Sequence, residues 1–172
     1  MTSAGALSAN VGSGININNT DSDGNTIGGT TAAARNVIQW GAGSPGINVS
    51  AGTGVAQNNL IQGNYIGTNA AGTARLVAAG ATDAIRLATS SSNTTITNNV
   101  IALADDGIEI NSSDNNVVRG NRIGVGTSGL SIANAANATS DGIDLAADSD
   151  SNTIGGTGVG EANIIAFAQG WA

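Results

Sequence analysis

The sequence predicts an all-β solenoid, and three observations point to it. A module of three short apolar-alternating runs recurs five times along the 172 residues. The runs are preceded by Gly, Asn, Asp or other turn-compatible residues, and none is long or periodic enough for a helix. The residue opening every third run is Asn. Strands of three to five residues cannot bury a face alone, whereas stacked coils set each strand beside its equivalent about 4.8 Å away and bury one face of all of them. Parallel crossovers are overwhelmingly right-handed, so the expected fold is a right-handed parallel β-helix of about five coils, each with three short strands.

The first runs are GININ from Gly14, GINVS from Gly46, AIRLA from Ala84, GIEIN from Gly107 and GIDLA from Gly142. They begin 32, 38, 23 and 35 residues apart, so the frame persists while the connections vary. The second runs are NTIGG from Asn25, NLIQG from Asn59, TTITN from Thr94, NVVRG from Asn116 and NTIGG from Asn152. The third are NVI from Asn36, NYI from Asn64, NVI from Asn99, NRI from Asn121 and NII from Asn163. Stacking aligns Ile15, Ile47, Ile85, Ile108 and Ile143 as one core column, and Ile17, Val49, Leu87, Ile110 and Leu145 as a second. Ile27, Ile61, Ile96, Val118 and Ile154 form a third, and Ile38, Ile66, Ile101, Ile123 and Ile165 a fourth. All twenty positions are Ile, Val or Leu. Asn tolerates the left-handed backbone of a tight corner and can both donate and accept, so Asn36, Asn64, Asn99, Asn121 and Asn163 are expected to form a ladder.

Composition fits this interior. Hydrophobic residues make up 40% of the chain but aromatics only 2%, so aliphatic side chains must fill the core. The 26 Gly and the many polar residues suggest low complexity, but the regular Ile spacing argues against disorder. All five basic residues are Arg, and twelve acidic residues leave a net charge of −7, which disfavours nucleic acid and anionic lipid as partners. With no cysteine, disulfides say nothing about redox compartment. TSAGALSAN after Met1 lacks a basic stretch followed by an apolar one, and no run of about 18 apolar residues exists to span a membrane.

The connections differ between coils. Coils one and five carry six-residue inserts, TTAAAR from Thr30 and TGVGEA from Thr157, between their second and third runs. Coils two and four carry long loops, 67–83 and 124–141, with only Ala102 to Asp106 in the equivalent place of coil three, which predicts a notch there. Both termini read as mid-coil, so residues 1–172 are expected to be a single domain with open, uncapped ends. The domain is read as a fragment of a longer array that stacks end to end on further coils.

These residues resemble the right-handed parallel β-helix repeat proteins, the superfamily that includes pectate lyases. NTIGGTTAAARNVI, NLIQGNYIGTNAAGT and NTIGGTGVGEANII look like the repeats of large secreted or cell-surface β-helix proteins of bacteria. The resemblance implies an extracellular or cell-surface location and a structural or adhesive role, with a polysaccharide or cell-surface glycan as partner. The same scaffold also carries lyases and hydrolases, so fold alone does not assign function.

Charge concentrates around the predicted notch. Asp83, Asp106 and Asp141 stand before three successive first runs, Asp105 joins them, and Arg86, Glu109 and Asp144 are outward residues of those strands. Adjacent strands would set Glu109 and Asp144 roughly 5 Å apart at the backbone, the separation of a retaining carboxylate pair. If the protein were a polysaccharide lyase or glycoside hydrolase, Glu109 and Asp144 would be the carboxylates and Arg86 would hold a uronate. Asp83, Asp105, Asp106 and Asp141 would contact substrate. The plainer reading is turn residues and solvated strand positions, and with it no catalytic residue and no cofactor. NTDSDGN, with Asp21 and Asp23, matches the opening of a calcium loop but has Thr30 where that loop needs Glu, a weak Ca2+ signal. Trp40 and Phe167 lie two residues after the third-run Ile of their coils and are expected to pack, as is Trp171. The glycine stretches are not phosphate loops, because no Lys follows and no helix opens.

Overall fold

The computed structural model describes residues 11–77, 80–133 and 140–168. Coil one contributes β1 (Ile15–Ile17), β2 (Thr26–Gly28) and β3 (Val37–Ile38), and coil two β4 (Ile47–Ser50), β5 (Leu60–Gln62) and β6 (Tyr65–Ile66). Coil three contributes β7 (Ile85–Ala88), β8 (Thr95–Thr97) and β9 (Val100–Ile101). Coil four contributes β10 (Ile108–Asn111), β11 (Val117–Arg119) and β12 (Arg122–Ile123), and coil five β13 (Ile143–Ala146), β14 (Thr153–Ile154) and β15 (Ile164–Ile165). Each third strand lies beside the same strand of the next coil, giving three parallel five-stranded sheets: β1-β4-β7-β10-β13, β2-β5-β8-β11-β14 and β3-β6-β9-β12-β15. This is a three-sided parallel β-helix of five coils. A short 3-10 turn, Ala32–Ala34, occupies the coil-one insert.

The register aligns the four aliphatic columns as their spacing predicts, with Ile47 opposite Ile85, Ile85 opposite Ile108 and Ile108 opposite Ile143. All twelve column positions of coils two to four, from Ile47 to Ile123, are fully buried. Neighbouring coils cover both of their flanks. In coil five Leu145, Ile154 and Ile165 are 45%, 42% and 44% exposed, because only coil four covers them. Trp40 is buried against Gly46 and Gly67, while Phe167 is half exposed and Trp171 lies outside the described residues.

The predicted asparagine ladder runs through all five coils. The side-chain amide nitrogens of Asn36, Asn64, Asn99 and Asn121 donate to Oδ1 of the next asparagine at 3.0, 3.1, 3.0 and 3.2 Å. Their backbone N–H groups donate to the same oxygens. The left-handed corner, however, is taken by the residue before the ladder position: Gly63, Asn98 and Gly120 have φ of 69°, 56° and 67°. The asparagine contributes its side chain, and its neighbour makes the bend.

A second ladder, not anticipated from the sequence, opens the second strands. Asn25 N–H donates to Asn59 Oδ1, Thr94 N–H to Asn116 Oδ1 and Asn116 N–H to Asn152 Oδ1. Each position of this row follows a residue with positive φ: Gly24, Asn58, Asn93, Asn115 and Ser151. In coils two to four, two of the three corners are therefore built alike.

The long loops do not leave an open notch where their described parts meet. Each turns back on itself through an antiparallel bridge, Thr68 with Arg75 and Val125 with Ser131. They then join: Thr127 donates its N–H to Gly72 O and its hydroxyl to Ala71 O, each at 2.9 Å. Beneath them Tyr65, Val100, Ala102 and Ile132 form a second apolar cluster, and Ala102, Leu103 and Ala104 of the short coil-three connection are buried. Apolar side chains over a short connection remove more surface from water by closing on each other than by standing apart.

Candidate functional site

The carboxylates singled out in the sequence do gather along the edge of the first sheet. Backbone pairing places Glu109 between Arg86 and Asp144. Arg86 Nε lies 2.8 Å from Glu109 Oε2, close enough for charge attraction although the N–H is poorly aligned for a hydrogen bond. Asn111 donates to the other oxygen, Oε1, at 3.2 Å. The third partner of Glu109 was not foreseen. The Asp83 carboxyl, almost fully buried just before β7, hydrogen-bonds to Glu109.

Burial dominates the protonation of Asp83. Burial, then the charges of Glu109 and Asp106, push its pKa up to about 7, so at mildly acid pH Asp83 is a neutral acid donating its proton to Glu109. Asp106 is pushed up to about 6, chiefly by burial, although the Asp141 N–H donates to its Oδ1 at 2.8 Å and opposes the shift. Asp144 is raised by burial, then by Asp141 and Glu109. Asp105 is exposed. The carbonyls of Asp83, Asp106 and Asp141 each accept a backbone N–H from the coil before, from Gly46, Ala84 and Gly107, so these residues also carry the stacking.

Glu109 thus has two carboxyl neighbours, Asp83 and then Asp144, which it faces in the sheet and whose pKa its charge helps to raise. Register alone suggests the second of these, because it lists only residues opposite one another. A side chain reaching diagonally between coils is invisible to it. Glu109 already holds Arg86, Asn111 and Asp83, and the adjacent loops meet over coil three. Glu109 is thereby tied to neighbours on both flanking coils.

At the turn that holds Asp21 and Asp23, Asp23 bonds to the backbone of the next coil. Asp23 Oδ1 accepts the Gln57 N–H at 2.6 Å, and Asp114 Oδ1 accepts the Asp150 N–H at 2.8 Å in the equivalent turn of coil four. Acids at this turn cap the next coil. Among the described residues no group of three or more His, Cys, Asp or Glu is placed to hold a metal ion, and no helix is long and apolar enough to cross a membrane.

A concave site does exist at a different place, the corner between the second and third sheets. Its volume is about 220 Å³, and Thr30, Thr31, Arg35, Gln62 and Asn98 line it with Gly29 and Gly63. The insert of coil one forms one wall because coils two to four have no insert there. Its sequence signal is the six-residue insertion TTAAAR, which begins at Thr30 and ends in Arg35.

The fold and these sites define a parallel β-helix repeat protein. No family model matches the chain, and no curated protein or solved structure matches it.

Proposed function

We propose that the chain is a non-catalytic structural or adhesive segment of an extracellular or cell-surface bacterial β-helix protein, a rigid scaffold on which further coils stack. The supporting observation is the polarity of the two ladders. Among the described residues the backbone N–H groups of Asn152 and Asn163 lack an acceptor, and the Oδ1 atoms of Asn25 and Asn36 lack a donor. One end therefore offers donors in the frame where the other offers acceptors. Leu145, Ile154 and Ile165 continue the core columns onto the donor face. Coil one of a second copy laid on coil five would bring the donor set of one copy to the acceptor set of the other and bury that apolar surface.

The likeness to pectate-lyase-like and large bacterial surface proteins belongs to this reading, and rests on the repeat strings and the three-sided coil. A polysaccharide or cell-surface glycan is the partner such a scaffold would meet, and a net charge of −7 disfavours nucleic acid. Sedimentation over a range of protein concentrations tests the stacking. Head-to-tail association that Ile165→Lys abolishes is expected; a monomer at every concentration would contradict it. Turnover of an acidic polysaccharide that disappeared in Glu109→Ala or Asp144→Ala would contradict the non-catalytic part.

A further inference from the structure

The corner cavity beside the coil-one insert holds polar groups that the fold leaves unused. Arg35 packs its guanidinium over the Tyr65 ring, 3.9 Å from the centroid, and donates from Nε to Gly63 O at 3.2 Å. These two contacts fix the plane of the group. Its two terminal nitrogens have no acceptor among the described residues, and no carboxylate pairs with it. The other arginines are more fully engaged: Arg86 and Arg119 face Glu109 and Glu161, while Arg75 and Arg122 bind loop carbonyls.

Gln62 and Asn98 line the same cavity from coils two and three, and neither side-chain amide has a hydrogen-bond partner among the described residues. Thr31 makes no capping hydrogen bond to the turn it precedes. One oriented fork of cationic donors, two amides that donate and accept, and two threonine hydroxyls thus surround one small space. Surface arginines and amides are often solvated singly, but here they converge on a concave wall made by an insert absent from the next three coils.

We infer that this corner binds the carboxylate of an acidic sugar. A planar carboxylate matches the two terminal nitrogens of a guanidinium held in one plane, and a compact ammonium would not reproduce that fork. The amides and hydroxyls suit a ring rich in hydroxyl groups, which needs donors and acceptors together. A volume of about 220 Å³ lies below the 300–1,000 Å³ typical of drug-sized ligands and suits one ring of a longer chain. This inference goes beyond the scaffold role and does not depend on stacking.

The test is an NMR titration of the full chain with trigalacturonate, with maltotriose and acetate as controls. Saturable shifts of the Arg35 Nε–H and of the Gln62 and Asn98 side-chain amides are expected with trigalacturonate. Arg35→Lys and Gln62→Ala should each weaken binding about tenfold or more, the size of a lost charge-assisted or buried hydrogen bond, with the backbone spectrum otherwise retained. Gln62→Ala removes a side chain that has no hydrogen bond among the described residues, so it reads binding even if Arg35 variants disturb Tyr65. No saturable shift at millimolar trigalacturonate, or equal affinity in both variants, would overturn the site. Maltotriose binding as tightly would overturn the carboxylate, and acetate binding as tightly would overturn the sugar.

Discussion

Coils four and five carry nearly the same first run, GIEIN and GIDLA, yet Ile110 is fully buried while Leu145, directly opposite it in the sheet, is 45% exposed. The chemistry of the two strands is equivalent. What differs is the number of flanks a neighbour covers. Burial in this molecule belongs to the stack more than to the strand, as in any quasi-one-dimensional repeat.

That contrast predicts unequal costs for equal deletions. Ile110→Ala is expected to destabilise by about 2–5 kcal/mol, whereas Leu145→Ala should cost well under half as much, since its side chain is already partly hydrated. Urea denaturation of both variants measures the difference. Equal costs would mean that coil five is covered in solution.

The ladder sharpens the comparison. Buried Asn99 donates to Asn121 Oδ1 and Ile61 O and accepts from both the N–H and the side chain of Asn64. Asn99→Ala strands several buried groups and is expected to cost about 3 kcal/mol. Asn163→Ala removes a partly buried end member and should cost about 1 kcal/mol. A larger loss at Asn163, read by the same melts, would reverse the account.

A third contrast sets the charged edge against the neutral core. Asp83 and Asp106 have folded-state pKa values raised to about 7 and about 6, above their unfolded values, so the folded state binds more protons over roughly pH 4 to 7. Stability is therefore fully present at the acid end of that window and falls as pH rises through it, by an amount on the order of a few kcal/mol. Urea midpoints at pH 4.5 and 7.5 read the slope. Asp83→Asn, which can still donate to Glu109, should flatten it and be the more stable protein at pH 7.5. An unchanged slope would remove Asp83 from the explanation.

The smallest effect lies on the surface. Arg119 Nη1 and Glu161 Oε1 are 2.6 Å apart but partly exposed, so Glu161→Gln should change stability by less than about 1 kcal/mol and lose even that in high salt.

The architecture was legible because a solenoid repeats its instructions. Ile at fixed offsets and Asn at each third-run start state the core and the first ladder five times over. The second ladder was equally visible, since Asn opens four of the five second runs, but Thr94 in coil three broke the pattern. Thr94 receives no ladder bond on its short side chain, yet its N–H still donates to Asn116. The left-handed corners were placed one residue too late because Gly63, Asn98 and Gly120 differ in side chain while sharing a backbone shape. Contacts that depend on reach were harder to read. Asp83 meeting Glu109, the two loops meeting at Gly72 and Thr127, and Arg35 lying over Tyr65 all join residues whose spacing carries no period.

Native-state hydrogen exchange, residue by residue, tests the central claim that neighbouring coils and not strand sequence set local stability. The account predicts strongest protection at the Asn99 and Asn121 amides, which sit in interior coils, and weakest at the coil-five amides of Ile154 and Ile165. Uniform protection through all five coils, or protection greatest in coil five, would contradict it.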